Sequence, residues 1–144
     1  NGPVPAAGGT GLSGRRIAVW GIAFKPGTDD IREAPSITLM QKMLDGGATI
    51  VAYDPVAGKP CQQVLGDRIT YADTAYEALD GADALVIITE WNAFRALNFE
   101  RVKHLLRKPI IVDLRNIYHL EEMKRTGITY HSIGRGVVRP KTQK

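Results

Sequence analysis

The sequence predicts an α/β fold: a doubly wound, mostly parallel six-stranded sheet with helices on both faces. Three observations point there. Short apolar runs alternate with stretches of helical periodicity along most of the 144 residues. The strongest run, Ala84 to Thr89, is continuously apolar up to its last residue, as expected when both faces of a parallel sheet are covered. Successive runs end on Gly21, Asp54, Thr89 and Asp113, which gathers small or polar groups at the carboxyl ends of the strands, where open α/β sheets bind ligands.

Taken in order, Arg16–Gly21 is a short apolar run ending in glycine and reads as a buried first strand feeding a turn. Lys25–Asp30 follows as a long loop, because Pro26 and Gly27 break a helix and the paired acids repel one another. From Pro35 to Leu44, Ile37, Met40 and Leu44 recur at helical spacing; Pro35 suits the first turn and Gly46–Gly47 the C-terminal cap. Thr49–Asp54 is β-branched and apolar and is halted by Pro55, giving a second strand that ends on an acid. A short helix then ends at Gly66, Arg68–Tyr71 is a weak strand, and Ala75–Leu79 is a helix capped by Asp73 or Thr74. Ala84–Thr89 is expected at the centre of the sheet. Asn98–Leu106 reads as a helix with Phe99, Val102 and Leu106 on one side, Pro109–Asp113 as a strand, Leu120–Arg125 as a helix and Ile128–His131 as the last strand. Such alternation implies right-handed crossovers.

The ends differ from this body. Residues 1–14 are crowded with glycine and proline and read as a flexible linker or tag scar, residues 15–134 as one domain, and residues 135–144 as a basic tail. A first residue that is not Met reads as a piece of a longer chain.

Composition narrows the function classes. Hydrophobic residues make up 44% and charged residues 24%, close to soluble averages, which disfavours disorder, collagen-like repeats and coiled coil. The formal charge of +4 resides in Arg135, Arg139, Lys141 and Lys144; the remainder balances 15 basic against 15 acidic residues. A neutral body lacks the cationic face that nucleic acid binding needs. Cys61 is the single cysteine, which excludes an internal disulfide and points to a reducing cytoplasm. No run approaches the roughly 18 apolar residues of a membrane span.

The loop after the first strand runs Gly21-Ile-Ala-Phe-Lys-Pro-Gly27. It has neither the Gly-x-Gly-x-x-Gly of a dinucleotide site nor a P-loop, so the expected fold is Rossmann-like without the glycine fingerprint. Instead Lys25 lies at the strand's carboxyl end and Arg32 just before the helix. Such cations can hold phosphate by side-chain charge, or can simply be solvated. Asp54 stands where such folds place a ribose-binding acid, yet 33 residues beyond Gly21; an Asp-Pro turn explains it equally well. Asp113 and Arg115 alternate at a strand end, so a carboxylate and a guanidinium are expected to converge, either on a ligand or in a structural salt bridge. His104, His119 and His131 lack metal spacing. Cys61 has no histidine near it in sequence, and no serine sits in a nucleophile elbow. The chain offers binding groups and no catalytic residue of its own.

Read together, Gly21–Ser36 (GIAFKPGTDDIREAPS), Ala52–Pro55, Thr89–Trp91, Asp113–Asn116 and Ser132–Arg135 closely resemble the C-terminal domain of the UDP-glucose/GDP-mannose dehydrogenase family, over about residues 13 to 135. The resemblance implies a three-part parent enzyme: an NAD-binding N-terminal domain, a helical dimerisation region giving a homodimer, and this nucleotide-sugar domain. The family oxidises a sugar C6 alcohol to a carboxylate in two NAD-dependent steps through a thiohemiacetal on a cysteine upstream of this domain, so Cys61 is not that cysteine. It implies that Phe24, Lys25 and Arg115 contact the UDP-sugar substrate and that Arg32 reaches across to NAD, while charge balance, histidine spacing and hydropathy give no nucleic acid, metal or membrane partner. Other readings remain open: a stand-alone nucleotide-sugar sensor, a domain acting on another UDP- or GDP-sugar, or a surface that packs against other domains.

Overall fold

A computed structural model describes residues 13–23, 30–31 and 34–139. Its strands and helices follow in the order β1 (Arg16–Trp20), α1 (Pro35–Asp45), β2 (Thr49–Tyr53), α2 (Gly58–Leu65), β3 (Thr70–Tyr71), α3 (Ala75–Leu79), β4 (Ala84–Ile87), α4 (Phe99–Leu105), β5 (Ile110–Asp113), α5 (Leu120–Lys124), β6 (Thr129–Ser132) and β7 (Val137–Val138). They build one α/β sheet of order β3-β2-β1-β4-β5-β6-β7. Every pair is parallel except the last, β6 with β7. β4 is the middle strand, as its apolar run predicts.

Alternate residues of each strand enter two separate cores. Ala18, Trp20, Leu85, Ile87, Ile111 and Tyr130 pack with Leu79 of α3, Val102 of α4 and Met123 of α5. Ile17, Val19, Ile50, Ala52 and Val86 pack with Met40 and Met43 of α1 and Cys61 and Leu65 of α2. Helices therefore cover both faces. Trp20, the largest buried side chain, donates its indole N–H to the Ala75 carbonyl at 2.9 Å and stacks on Phe94 with centroids 4.8 Å apart.

The helix ends follow their chemistry. Thr74 rather than Asp73 is the cap of α3, its hydroxyl accepting the Glu77 N–H at 3.1 Å, and Asn98 caps α4 by accepting from Arg101 N–H at 3.1 Å. The expected six strands are seven. β7 lies inside the stretch read as a basic tail, where two valines between glycines and arginines carry too short a pattern to declare a strand. It closes the β6 edge, pairing Tyr130 with Val138 and His131 with Val137. Most of the Lys25–Asp30 loop, residues 1–12 of the expected linker and residues 140–144 lie outside the described residues.

Candidate functional site

The order of strands reverses beside β1, between sequence neighbours β1–β2 and the crossover to β4. At the carboxyl end of β1 the chain must leave the sheet where β4 also ends. Gly21 makes this possible: its φ is +91°, and an added Cβ would lie 2.6 Å from both Cβ and N of Thr89. The next two residues, Ile22 and Ala23, are the root of the Phe24–Lys25 loop, and side chains hold all four of their backbone polar groups. Asp54 Oδ2 accepts Ile22 N–H at 2.6 Å and Ala23 N–H at 3.0 Å. Ser36 Oγ donates to the Ile22 carbonyl at 2.5 Å, and Thr89 Oγ1 donates to the Ala23 carbonyl at 2.6 Å. Neutral and charge-assisted bonds of this kind, in a buried setting, fix the direction in which a loop departs.

Asp54 does more. Its Oδ1 accepts the N–H groups of Val56 and Ala57 at 2.9 and 2.8 Å, and the Trp91 indole N–H reaches Oδ2 at 3.3 Å. With its residue 8% exposed, the carboxylate is committed to four backbone N–H groups and the Trp91 indole and closes the Asp-Pro turn. Of the two sequence readings, these contacts support the Asp-Pro turn.

Asp113 and Arg115 do not converge. Asp113 is fully buried and accepts the Arg115 and Ile117 backbone N–H groups at 2.9 and 2.8 Å, along with the Tyr130 hydroxyl at 2.6 Å. Strand alternation stops at Asp113, so the turn that the carboxylate caps sends the Arg115 side chain elsewhere. It meets Glu90 instead: Nη2 donates to Oε2 at 3.0 Å, and Nε lies 2.8 Å from Oε1. The Nε approach is too oblique to count as a hydrogen bond, leaving Oε1 as an ionic contact only. Burial pushes the Glu90 carboxyl up, but the Arg115 hydrogen bond, its own backbone N–H and the Arg115 and Arg95 charges outweigh this and lower it. Asn116, at φ +55°, brackets Ile133: its amide donates to the Ile133 carbonyl at 3.0 Å and accepts the Ile133 N–H at 2.8 Å. Arg135 donates to the Tyr130 hydroxyl at 2.8 Å and to Ser132 Oγ at 3.1 Å, so the first residue of the expected tail is part of the β5–β6 edge.

Of the residues singled out in sequence, Arg115 stands at this edge, while Phe24, Lys25 and Arg32 lie outside the described residues. Ala23, the second residue of the root, is the described residue directly before Phe24. Cys61 is fully buried on the core-facing side of α2, and burial pushes its thiol up, as does the Asp54 charge, against the lowering hydrogen bond from Tyr71. Among the described residues no group of three or more His, Cys, Asp or Glu side chains could hold a metal. Sequence reasoning placed Thr89 at a strand end and Ser36, Glu90 and Asn116 inside the resembling segments without giving any of them a role, and passed over Tyr130.

An open, mostly parallel sheet with polar side chains gathered at its carboxyl edge, beside the point where strand order reverses, defines a nucleotide-binding class of domain. The model of the UDP-glucose/GDP-mannose dehydrogenase family, UDP binding domain, matches residues 18–120, and the chain belongs to that family. The UDP-glucose 6-dehydrogenase of Rhizobium meliloti (strain 1021) is 47% identical over 132 residues, covering 92% of this chain and 30% of the relative. That of Pseudomonas aeruginosa PAO1 is 45% identical over 127 residues, covering 85% and 28%. Among solved structures, a UDP-glucose dehydrogenase from the archaeon Pyrobaculum islandicum superposes with TM-score 0.63 at 34% identity, over 71% of this chain and 22% of that one. The NDP-N-acetyl-D-galactosaminuronic acid dehydrogenase of Methanosarcina mazei Go1 does so with TM-score 0.71 at 28% identity, over 86% and 25%. The chain spans about three-tenths of the length of the curated relatives it matches.

Proposed function

We propose that this chain is the nucleotide-sugar-binding domain of an NAD-dependent UDP-glucose 6-dehydrogenase, whose parent enzyme oxidises UDP-glucose to UDP-glucuronate in two steps. One observation carries the reading: the carboxyl edge of the sheet holds a loop root with every backbone polar group satisfied, and a guanidinium held in one orientation beside it. This is how a phosphate-bearing ligand is bound by side-chain charge rather than by a glycine cradle. In this reading Phe24, Lys25 and Arg115 contact the UDP-sugar, and residues 15–134 together with β7 form the binding unit, doubly wound about the β1/β4 reversal. The parent acts in the cytoplasm.

NAD belongs to the rest of the parent. The described residues offer no dinucleotide cradle: Gly21 serves its close approach to Thr89, and α1 begins at Pro35 with no side-chain cap. Arg32 would reach toward NAD held by an upstream domain, and a homodimer would be built by a helical region that also lies upstream. The chain by itself binds and does not oxidise, since its one thiol is buried in the core.

Ligand-observed NMR on the 144-residue chain at low salt, with UDP-glucose, UDP, GDP-mannose and NAD in separate samples, tests this. Selective binding of UDP-glucose and UDP, weakened about tenfold or more by Lys25→Ala in a folded sample, is the expected result, as removal of a charge-assisted contact implies. Binding that Lys25→Ala leaves unchanged removes that residue from the site. Absence of any binding overturns the claim that this domain carries nucleotide recognition.

A further inference from the structure

We propose that Glu90 is a positioning residue that grips the Arg115 guanidinium by one edge and so presents its other edge to an anionic ligand, a nucleoside diphosphate. The inference deepens the reading above and rests on Arg115 being a ligand contact. A guanidinium carries five N–H donors in a rigid plane. Glu90 occupies the Nε/Nη2 side, with Oε1 2.8 Å from Nε and Oε2 3.0 Å from Nη2. The Nη1 hydrogens and the second Nη2 hydrogen form the opposite edge, which matches a second planar or tetrahedral oxyanion. Glu90 itself is held back: its side chain is 27% exposed, Oε1 is buried, and the Arg115 side chain outside it is 45% exposed. The ligand-facing partner is thus the more exposed one.

The neighbours of Glu90 show why it sits there. Thr89 bonds the Ala23 carbonyl at the loop root, and Trp91 bonds Asp54, which holds the same root. Three successive residues at the end of β4 therefore tie the loop root on one side to Arg115 on the other. Their geometry sets the separation of the two halves of the proposed site. The Arg95 charge also acts on Glu90, so Glu90 answers two guanidinium groups, while the Asp54 and Asp113 carboxylates of the same edge are turned inward onto backbone N–H groups.

The test uses the full 144-residue chain with UDP as the probe. Wild type, Glu90→Gln, Glu90→Ala, Arg115→Ala and the double variant are titrated, and the resonance of Arg115 Nη2, the nitrogen that donates to Glu90, is followed without ligand. The expected result is a distinct, slowly exchanging Arg115 resonance in wild type that merges with solvent-averaged arginines in Glu90→Ala. UDP binding should weaken roughly threefold to tenfold in Glu90→Ala, the affinity lost when one long side chain must be ordered at the moment of binding. Glu90→Gln, which keeps the shape and one acceptor, should lie between, and the double variant should be no weaker than Arg115→Ala alone. If Arg115→Ala weakens binding while Glu90→Ala binds as tightly as wild type or tighter, Glu90 is idle or competes with the ligand and the positioning role is overturned. If Arg115→Ala binds as wild type, or wild type binds no UDP, the underlying reading fails first. An Arg115 resonance already averaged in folded wild type contradicts the grip directly.

Discussion

At the scale of single residues, Gly21 and Asp54 hold the loop root in place. Gly21→Ala would need a positive φ and would press a methyl group onto the Thr89 backbone at 2.6 Å. A loss of about 2–4 kcal/mol is expected from strain and overlap together, read as a shifted urea midpoint. Asp54→Ala would strand the N–H groups of Ile22, Ala23, Val56 and Ala57. Each unsatisfied buried donor costs about 1–3 kcal/mol, so a loss of about 3 kcal/mol or more should appear in the same assay. The acidic end of β2 was legible in sequence, but its purpose was not. An acid before a proline looks the same whether it meets a ribose or four backbone amides, and only the fold of the Ile22–Ala23 segment decides. Asp113 and Arg115 fared likewise. Alternation holds inside a strand, and the turn that Asp113 caps ends the strand between them.

At the scale of elements, periodicity and capping chemistry were sufficient for the helices and the parallel strands. All of these elements but β3, a two-residue strand, are several residues long and bury one or both faces against a neighbour. Thr74→Ala should cost about 1 kcal/mol through the lost cap of α3, while Asp73→Ala should cost less, because Asp73 contributes only its N–H, to Glu77 Oε1 at 2.7 Å. Paired urea denaturations distinguish the two, and equal losses would contradict the assignment of the cap. β7 escaped notice because its two valines stand among glycines and arginines in a stretch whose charge reads as a tail, whereas the equally short β3 lies in the β-branched and aromatic run Ile69-Thr-Tyr71. It is stabilised from outside its own sequence, by pairing with β6 and by Val138 reaching the core. Arg135 similarly looked like part of a charged tail until the Tyr130 hydroxyl and Ser132 were placed beside it.

At the scale of the whole molecule, the buried acids that stay protonated set the pH response. Burial, with the Asp113 carboxylate second, pushes Tyr118 well above its usual 10.0; burial followed by the Asp113 hydrogen bond and charge does the same to Tyr130. Burial likewise raises Cys61 above its usual 9.0. In each case the unfolded chain ionises first, so the stabilising contribution is complete below the unfolded pKa and is lost as pH rises through the folded one. Urea midpoints should therefore decline between about pH 9 and about pH 11, before Tyr118 and Tyr130 titrate in the folded state. Thiol reagents should label Cys61 only at the rate at which the core opens.

The central claim is that the carboxyl edge of the sheet binds a UDP-sugar, and amide shift mapping tests it most directly. UDP-glucose added to the 15N-labelled 144-residue chain should move the resonances of Gly21–Ala23, Thr89–Trp91 and Arg115–Asn116, at positions spread over three strand ends but on one edge. Arg115→Ala should abolish those shifts at the same ligand concentration while leaving the remaining spectrum in place. Shifts confined instead to the open depression beside β3, lined by Gln62, Asp67 and Tyr71, would contradict the account. So would shifts at the carboxyl edge that persist unchanged in Arg115→Ala.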